Sequence, residues 1–468
     1  MRIWHVTAIV ALLTTATSIA SAQPPRASRA AIARAADSLA ESALRRGPVA
    51  ALSIAVVRGA DTIVMKGYGS ADLENDVPAT TQTVFRIGSI TKQFTSAAVM
   101  RLVEQGKIGL DDDVTKYIPN YATHGRRILV RHLLNHTSGI PSYTDVGAAF
   151  GRRARLDLAH DSLLAIVRDD SLQFEPGTHF YYNNTGYYML GMIIERVTGK
   201  PYGDHVRETL FGPLGLASTV YCSSAPLIKH RAHGYDRAST GLVNTEFLSM
   251  NLPYAAGSLC STAGDLVAWT RALHAGRVVN AASLTAMTTP VKLPSGRPMT
   301  YGFGLGVDTL GSHRRVAHGG GINGFISHLA HYPDDSLTIA VLANTAPAPS
   351  DRIAENIARV AFGMPLRAAP ERPADLPVAV EERTRVAGNY RITWPDGSRR
   401  NVRVFASGEQ LMLQIEGQPA TRLMKQSAAN SFAVAGQPGR IMFDITNGAA
   451  TGFVVDRGAR PMEAVRVP

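Results

Sequence analysis

The sequence predicts an α/β (α+β) chain: a mixed sheet flanked by helices with a helical subdomain, then a small all-β domain. Three observations carry that expectation. Strand patterns stand at both ends of the long first part and helical patterns fill its middle, so the sheet draws strands from both ends. Pro365, Pro370, Pro373 and Pro377 then punctuate the chain as a linker. Beyond them short strand patterns recur between Gly and Asn turns, as in a small barrel or sandwich. The expected division is a signal peptide 1–22, a main domain 23–364, a linker 365–378 and a β domain 379–468.

Taken in order, Arg2, the apolar Ile9-Val10-Ala11-Leu12-Leu13 and the small Ala20-Ser21-Ala22 read as a secretory signal with cleavage before Gln23. Thr14, Thr15, Thr17 and Ser18 break the apolar run, which is short for a membrane span. Export to a periplasm or beyond is the expectation, with no stable membrane span. Residues 28–46 carry Ile32, Ala35, Leu39 and Ala43 at helical spacing and stop at Gly47. Residues 53–57 and 62–65 read as two strands of a hairpin. Residues 95–106 read as a helix apolar nearly all round, with Ser89 at its N-terminus, so it is buried, and Gly106 is its stop. A short helix is expected over 111–118, a helix running into a turn over 131–139, and mainly helix over 155–215. Residues 266–273 form another helix. Strands follow at 325–332 and 337–343, and a last helix at 350–363. In the β domain the expected strands are 402–405, 410–415, 431–434, 440–443 and 452–455.

The 468 residues are 45% hydrophobic and 18% charged, ample for a large core. The net charge of +11 is spread thinly, without a basic run or interleaved aromatics, so a nucleic-acid partner is not indicated. Two cysteines, Cys222 and Cys260, allow one disulfide in an exported protein and equally two buried thiols. Neither has a metal-site context, so no metal and no cofactor are expected.

Chemistry enters at Ser89 and Lys92, one helical turn apart on one face. A serine hydroxyl needs a base, and a desolvated lysine favours its neutral amine. Further on stand Tyr182-Asn183-Asn184 and His318-Gly319-Gly320-Gly321. Singly, each has a plain structural reading as a cap, a packing ring, a loop histidine or a glycine turn.

Together, in this order, they resemble the serine β-lactamase and penicillin-binding-protein family, most closely its class C and D-peptidase/esterase branch. The flanks agree: Leu133-Leu134-Asn135-His136-Thr137-Ser138-Gly139, Glu175-Pro176-Gly177, Ala256-Gly257-Ser258 and Ser261-Thr262-Ala263-Gly264-Asp265. The resemblance spans residues 30–363. It implies a Ser89 acyl-enzyme, with Lys92 and Tyr182 carrying protons and Asn184 orienting Lys92 and a substrate amide. It implies an oxyanion site at the backbone of Ser89 and Gly321, beside Gly320. His318, if protonated, would help Lys92 lower the Tyr182 phenol. Where the family often has Lys-Thr-Gly, this chain has His318-Gly319-Gly320, a conditional cation and no hydroxyl. The expected activity is therefore an exported serine hydrolase acting on small acyl esters or D-amino-acid amides and peptides, cell-wall fragments included, in preference to β-lactams. The alternative is a catalytically weak binding or sensor protein on the same fold. An α/β-hydrolase is not indicated, because Ser89 lacks a Gly-x-Ser-x-Gly setting. Nothing in the pattern speaks to oligomeric state.

Overall fold

A computed structural model describes residues 27–145, 151, 153–238, 240–294, 296, 299–367, 375–393, 399–416, 420–435, 439–456 and 462–467. The expected signal segment, and Pro370 and Pro373 of the linker, lie outside these residues. No helix among the described residues is long and apolar enough to cross a membrane.

The central sheet has seven strands, in the spatial order Val77–Pro78, Asp61–Asp72, Ala51–Arg58, Leu337–Ala343, Phe325–Tyr332, His313–Ile322 and Gly306–Leu310. The expectation of strands from both ends is met at its centre, where Ile54 pairs with Val341. Every pairing in this sheet is antiparallel, where a mixed sheet was expected. Hairpins link neighbouring strands within each half, and one long-range pairing joins the halves.

Both faces of the middle strands are buried, so Ala51–Arg58 reads as one apolar run. Leu52, Ile54 and Val56 meet Ile32 and Ala36 of the helix Arg29–Arg46 and Ile353 and Ile357 of the helix Ser350–Ala361. Ser28 caps the first of these helices, its side chain accepting from the Ala31 N–H. Ala51, Ala55 and Val57 face the other way, toward the core around Phe94 and Trp269. This alternation is the period of two that a strand imposes.

The helix Thr91–Glu104 crosses that second core with Thr91 to Met100 buried without interruption. The Phe94 ring stacks on Trp269 at 4.0 Å, and the Trp269 Nε1–H donates to Gln93 Oε1 at 2.9 Å. Gly106 turns the chain out with φ +69°.

Three expected elements differ. Over 111–118 the structure has only the 3₁₀ turn Val114–Lys116, which Asp113 caps at its start by accepting from the Thr115 N–H. Within 155–215 the chain from 165 to 183 runs mostly in turns and irregular backbone before the helix Asn184–Thr198. The glycine triplet after His318 was placed ahead of a strand but lies within the strand His313–Ile322.

The C-terminal part closes into an eight-stranded barrel, settling barrel over sandwich. Three strands join the five expected: Gly388–Thr393, Thr421–Lys425 and Met462–Val467. Tyr390, Phe432, Phe443 and Phe453 fill its own core. Leu376 bridges to Lys425, so the chain entering the barrel is tied to the end of the strand Thr421–Lys425.

Candidate active site

Ser89 lies in a 3₁₀ turn, Gly88–Ile90, that runs directly into the helix Thr91–Glu104. Gly88 has φ +51°, and a Cβ there would meet the Gly321 N at 2.9 Å. The serine turn and the glycine strand thus approach too closely for a side chain between them. The approach also brings the backbone of Gly321 beside Ser89, and both line a cavity of about 150 Å³.

Lys92 is fully buried, and its Nζ has three polar neighbours. Nζ is 2.8 Å from Asn184 Oδ1, 2.9 Å from the Ala256 carbonyl oxygen and 3.1 Å from Ser89 Oγ. Desolvation holds the amine well below the usual lysine range. No carboxylate is among these neighbours. A neutral amine has two N–H bonds and one lone pair. The two N–H bonds go to the oxygens that only accept, Asn184 Oδ1 and Ala256 O. The lone pair is left for the Ser89 O–H. Asn184 is itself held: its N–H donates to Ser142 Oγ at 3.3 Å and its Nδ2 to Thr144 Oγ1 at 3.2 Å.

Tyr182 leans over the same group, with Nζ 4.8 Å from its ring centroid and its hydroxyl close enough to Ser89 for the serine to offset part of the rise in its pKa. Its ring edge is open, at 37% exposure, while the hydroxyl end is desolvated and the phenol is pushed up. The phenol is therefore a donor at neutral pH.

His318 is buried, and desolvation pushes its imidazole down to about 3, helped by Lys92. The sequence left its charge conditional, and burial favours the neutral ring. Its Nδ1 bonds the Gly319 carbonyl at 2.6 Å and its Nε2 bonds the Tyr301 hydroxyl at 2.8 Å. Gly320, expected beside the substrate, is buried and does not line the cavity; a Cβ there would run into the Ile87 carbonyl and the Ser327 hydroxyl. It is the spacer that lets the strand reach the serine turn. The Gly306–Leu310 strand covers residues 313–317 only, so the ladder on that side ends before Gly319–Ile322.

Ser89, Lys92, Tyr182 and Asn184 therefore meet, Gly321 joins them through its backbone, and His318 stands behind Tyr182 with ring centroids 6.1 Å apart. The Ala256 carbonyl and Tyr301 were not among the expected site residues. A backbone oxygen leaves no mark in a sequence, and an isolated tyrosine carries no motif. Cys222, just past the strand Val220–Tyr221, and Cys260, in the strand Leu259–Ser261, are joined as a disulfide, Cα atoms 5.2 Å apart. Among the described residues, Asp72, Glu74 and His233 lie close enough to share a metal ion. Asp72 already accepts from the Glu74 and Asn75 N–H groups, and none of the three lines the Ser89 cavity.

The model of the family described as Beta-lactamase matches residues 36–363. Penicillin-binding protein 4* of Bacillus subtilis is 29% identical over 437 residues, 88% of this chain and 94% of that protein. Protein flp of Staphylococcus aureus is 31% identical over 316 residues, 66% of this chain and 62% of that protein. The octameric penicillin-binding protein homologue from Pyrococcus abyssi superimposes with a TM-score of 0.64 at 26% identity, covering 92% of this chain and 99% of its own. A D-stereospecific amidohydrolase from Streptomyces sp. does so with a TM-score of 0.61 at 29% identity, covering 72% and 99%. With its motifs gathered at one cavity and its family model matched over most of its length, the chain belongs to the Beta-lactamase family, the serine β-lactamase and penicillin-binding-protein-like proteins.

Proposed function

We propose that the chain is an exported serine hydrolase whose Ser89 is acylated by small acyl esters, D-amino-acid amides, or peptides whose reacting end carries no carboxylate. The observation that carries this is the desolvated Lys92 amine, 3.1 Å from Ser89 Oγ with Asn184 Oδ1 and the Ala256 carbonyl as its other partners, so that in its neutral form it has a lone pair free for the Ser89 hydroxyl. Ser89 Oγ attacks the acyl carbon as its proton passes to Lys92 Nζ. The backbone N–H groups of Ser89 and Gly321 receive the oxyanion. The leaving oxygen or nitrogen takes the Tyr182 phenol proton, which the Lys92 ammonium replaces, so no net charge is left in the site. Water then enters by the reverse route: Lys92 takes its proton, it attacks the ester carbon, and Ser89 leaves with a proton.

The substrate class rests on the walls. The cavity is lined by Tyr143, Thr144, Asn184, Leu248, Leu252 and Ile322 among others, with no charged side chain among the described residues. A penicillin or a terminal D-alanine brings a carboxylate, and burying one without a cation is costly. The Streptomyces relative, a D-stereospecific amidohydrolase, supports the amide arm of this reading.

The test is labelling with a fluorophosphonate, then turnover of p-nitrophenyl esters, D-phenylalanine amide, D-Ala-D-Ala peptides and a cephalosporin. Labelling lost in Ser89→Ala, with esters and amides turned over fastest, is the expected result. A cephalosporin kcat/KM above that of every ester and amide overturns the substrate class. No label on the wild type overturns the hydrolase.

A further inference from the structure

The segment 136–144 lies against the Tyr182 turn, and His136 makes contacts there that the reaction above does not use. Its backbone carbonyl accepts the Tyr181 N–H at 2.9 Å, and its ring Nδ1 accepts the Asn183 N–H at 3.0 Å. The residue between those two anchors is Tyr182. The His136 ring also lies against the Tyr182 ring, centroids 4.3 Å apart. One residue therefore holds Tyr182 from its preceding neighbour, its following neighbour and its ring face.

This arrangement carries costs that packing alone does not repay. His136 is fully buried and adopts φ +60°, a left-handed backbone that disfavours most side chains. With Nδ1 accepting, the ring proton sits on Nε2, which is buried and has no hydrogen-bond partner. Around it stand the rings of Tyr187, Tyr301 and Phe180, at 5.1, 4.9 and 5.8 Å. A phenylalanine would suit those rings without an orphaned donor. What it lacks is the lone pair that Asn183 requires.

The anchor reaches further. Asn183 Oδ1 caps the helix Asn184–Thr198 by accepting the Gly186 N–H at 2.8 Å, and its Nδ2 donates to the Ile140 carbonyl at 2.6 Å. Asn184, the next residue, accepts from Lys92. We propose that His136 is a positioning residue, whose ring nitrogen and carbonyl fix Tyr182 over Ser89 and fix the helix start that presents Asn184 to Lys92. This rests on the hydrolase reading above.

The experiment compares wild type, His136→Phe, His136→Asn and His136→Gln by fluorophosphonate acylation rate, ester kcat and KM, and thermal midpoint. Asparagine places an oxygen near the site of Nδ1 and tolerates a left-handed backbone. Phenylalanine keeps a ring and loses the acceptor. The expected result is acylation and kcat reduced about 10²-fold in H136F with KM little changed, and most of the rate recovered in H136N. A packing role predicts the reverse order, phenylalanine above asparagine, and that order overturns the proposal. So does H136F acylating at the wild-type rate. If H136F does not fold, H136Q, whose oxygen lies one methylene too far, takes its place, and H136Q matching H136N overturns the proposal. An unreactive wild type fails the hydrolase reading itself and is separable from every outcome in which the wild type reacts.

Discussion

The Tyr301 hydroxyl donates to His318 Nε2 across 2.8 Å, and that bond decides what His318 can offer a substrate. The Gly319 carbonyl, 2.6 Å from Nδ1, can only accept, so the ring proton is on Nδ1 and Nε2 is the acceptor. Both nitrogens are engaged and the ring is neutral, pushed by burial down to about 3. No donor or positive charge remains to meet a carboxylate.

A lysine at that place should change the preference. Gly319 has room for a side chain, since a Cβ there meets nothing nearer than 3.7 Å. The double variant His318→Lys with Gly319→Thr should raise acylation by benzylpenicillin relative to a p-nitrophenyl ester by about 10–100-fold, the worth of one charge-assisted hydrogen bond of about 1.5–3 kcal/mol. Competition labelling with a fluorescent penicillin measures the ratio. An unchanged ratio in a folded double variant would show that the carboxylate is excluded for another reason.

The pH dependence follows from the same groups. Desolvation lowers Lys92, so the neutral amine forms as pH rises through that lowered value and persists above it. Burial raises Tyr182, so its donating phenol also persists on the alkaline side. The expected profile of kcat/KM is one rising acid limb and a plateau extending past pH ~9. His318 titrates too low to set that limb at neutral pH, so His318→Gln should leave its midpoint in place. A limb that moves by a full unit in this variant would assign it to the histidine instead.

What the sequence could and could not show divides along physical lines. Ser89, Lys92, Tyr182 and Asn184 carried side chains of suitable chemistry in a recognisable order, and the structure brings them together. The strands 325–332 and 337–343 were legible because apolar runs ended at Pro333-Asp334-Asp335. The strand His313–Ile322 was not, because its three glycines read as a turn, whereas they lie in a strand whose close packing on Ile87 and Ser327 requires glycine at Gly320. The charge state of His318 was equally hidden: it depends on depth and on Tyr301, seventeen residues away. Three barrel strands were not read, although Tyr390 and Ile392 alternate with polar neighbours in the first of them, and closure of the sheet pairs them all.

Stability should fall in mild acid because of histidines remote from catalysis as well as His318. Burial pushes His274 and His328 down to about 4 and His331 to about 3. The His274 and His331 rings lie 4.1 Å apart, so protonating one opposes protonating the other. These folded-state values lie below the unfolded value of about 6.5, so the unfolded chain binds more protons in that window. The contribution is fully present above pH ~6.5 and is lost as pH falls toward 4 and 3. The sum is on the order of several kcal/mol. The thermal midpoint should therefore drop steeply from pH 7 to 4.5, and His274→Gln should flatten the slope. A midpoint flat over that range would mean these rings are hydrated.

Gly320 and Gly319 give a paired test of the spacer. A methyl at Gly320 would be driven into the Ile87 carbonyl oxygen and the Ser327 hydroxyl, which themselves share a 2.8 Å hydrogen bond. Two of those contacts are with the serine turn or its anchor, so relief means pushing the strand away from Ser89. Overpacking of this kind costs about 1–3 kcal/mol, and displacing the Gly321 N–H from the oxyanion costs about 10²-fold in kcat. One residue earlier the Cβ meets His328 and the Ser327 carbonyl only at ordinary contact distance, 3.7 Å, so Gly319→Ala should stay within about 0.5 kcal/mol and keep its activity. Urea unfolding and ester turnover on both variants measure the two effects. Equal losses at the two positions would mean that general strand propensity, rather than approach to the serine turn, explains the glycines.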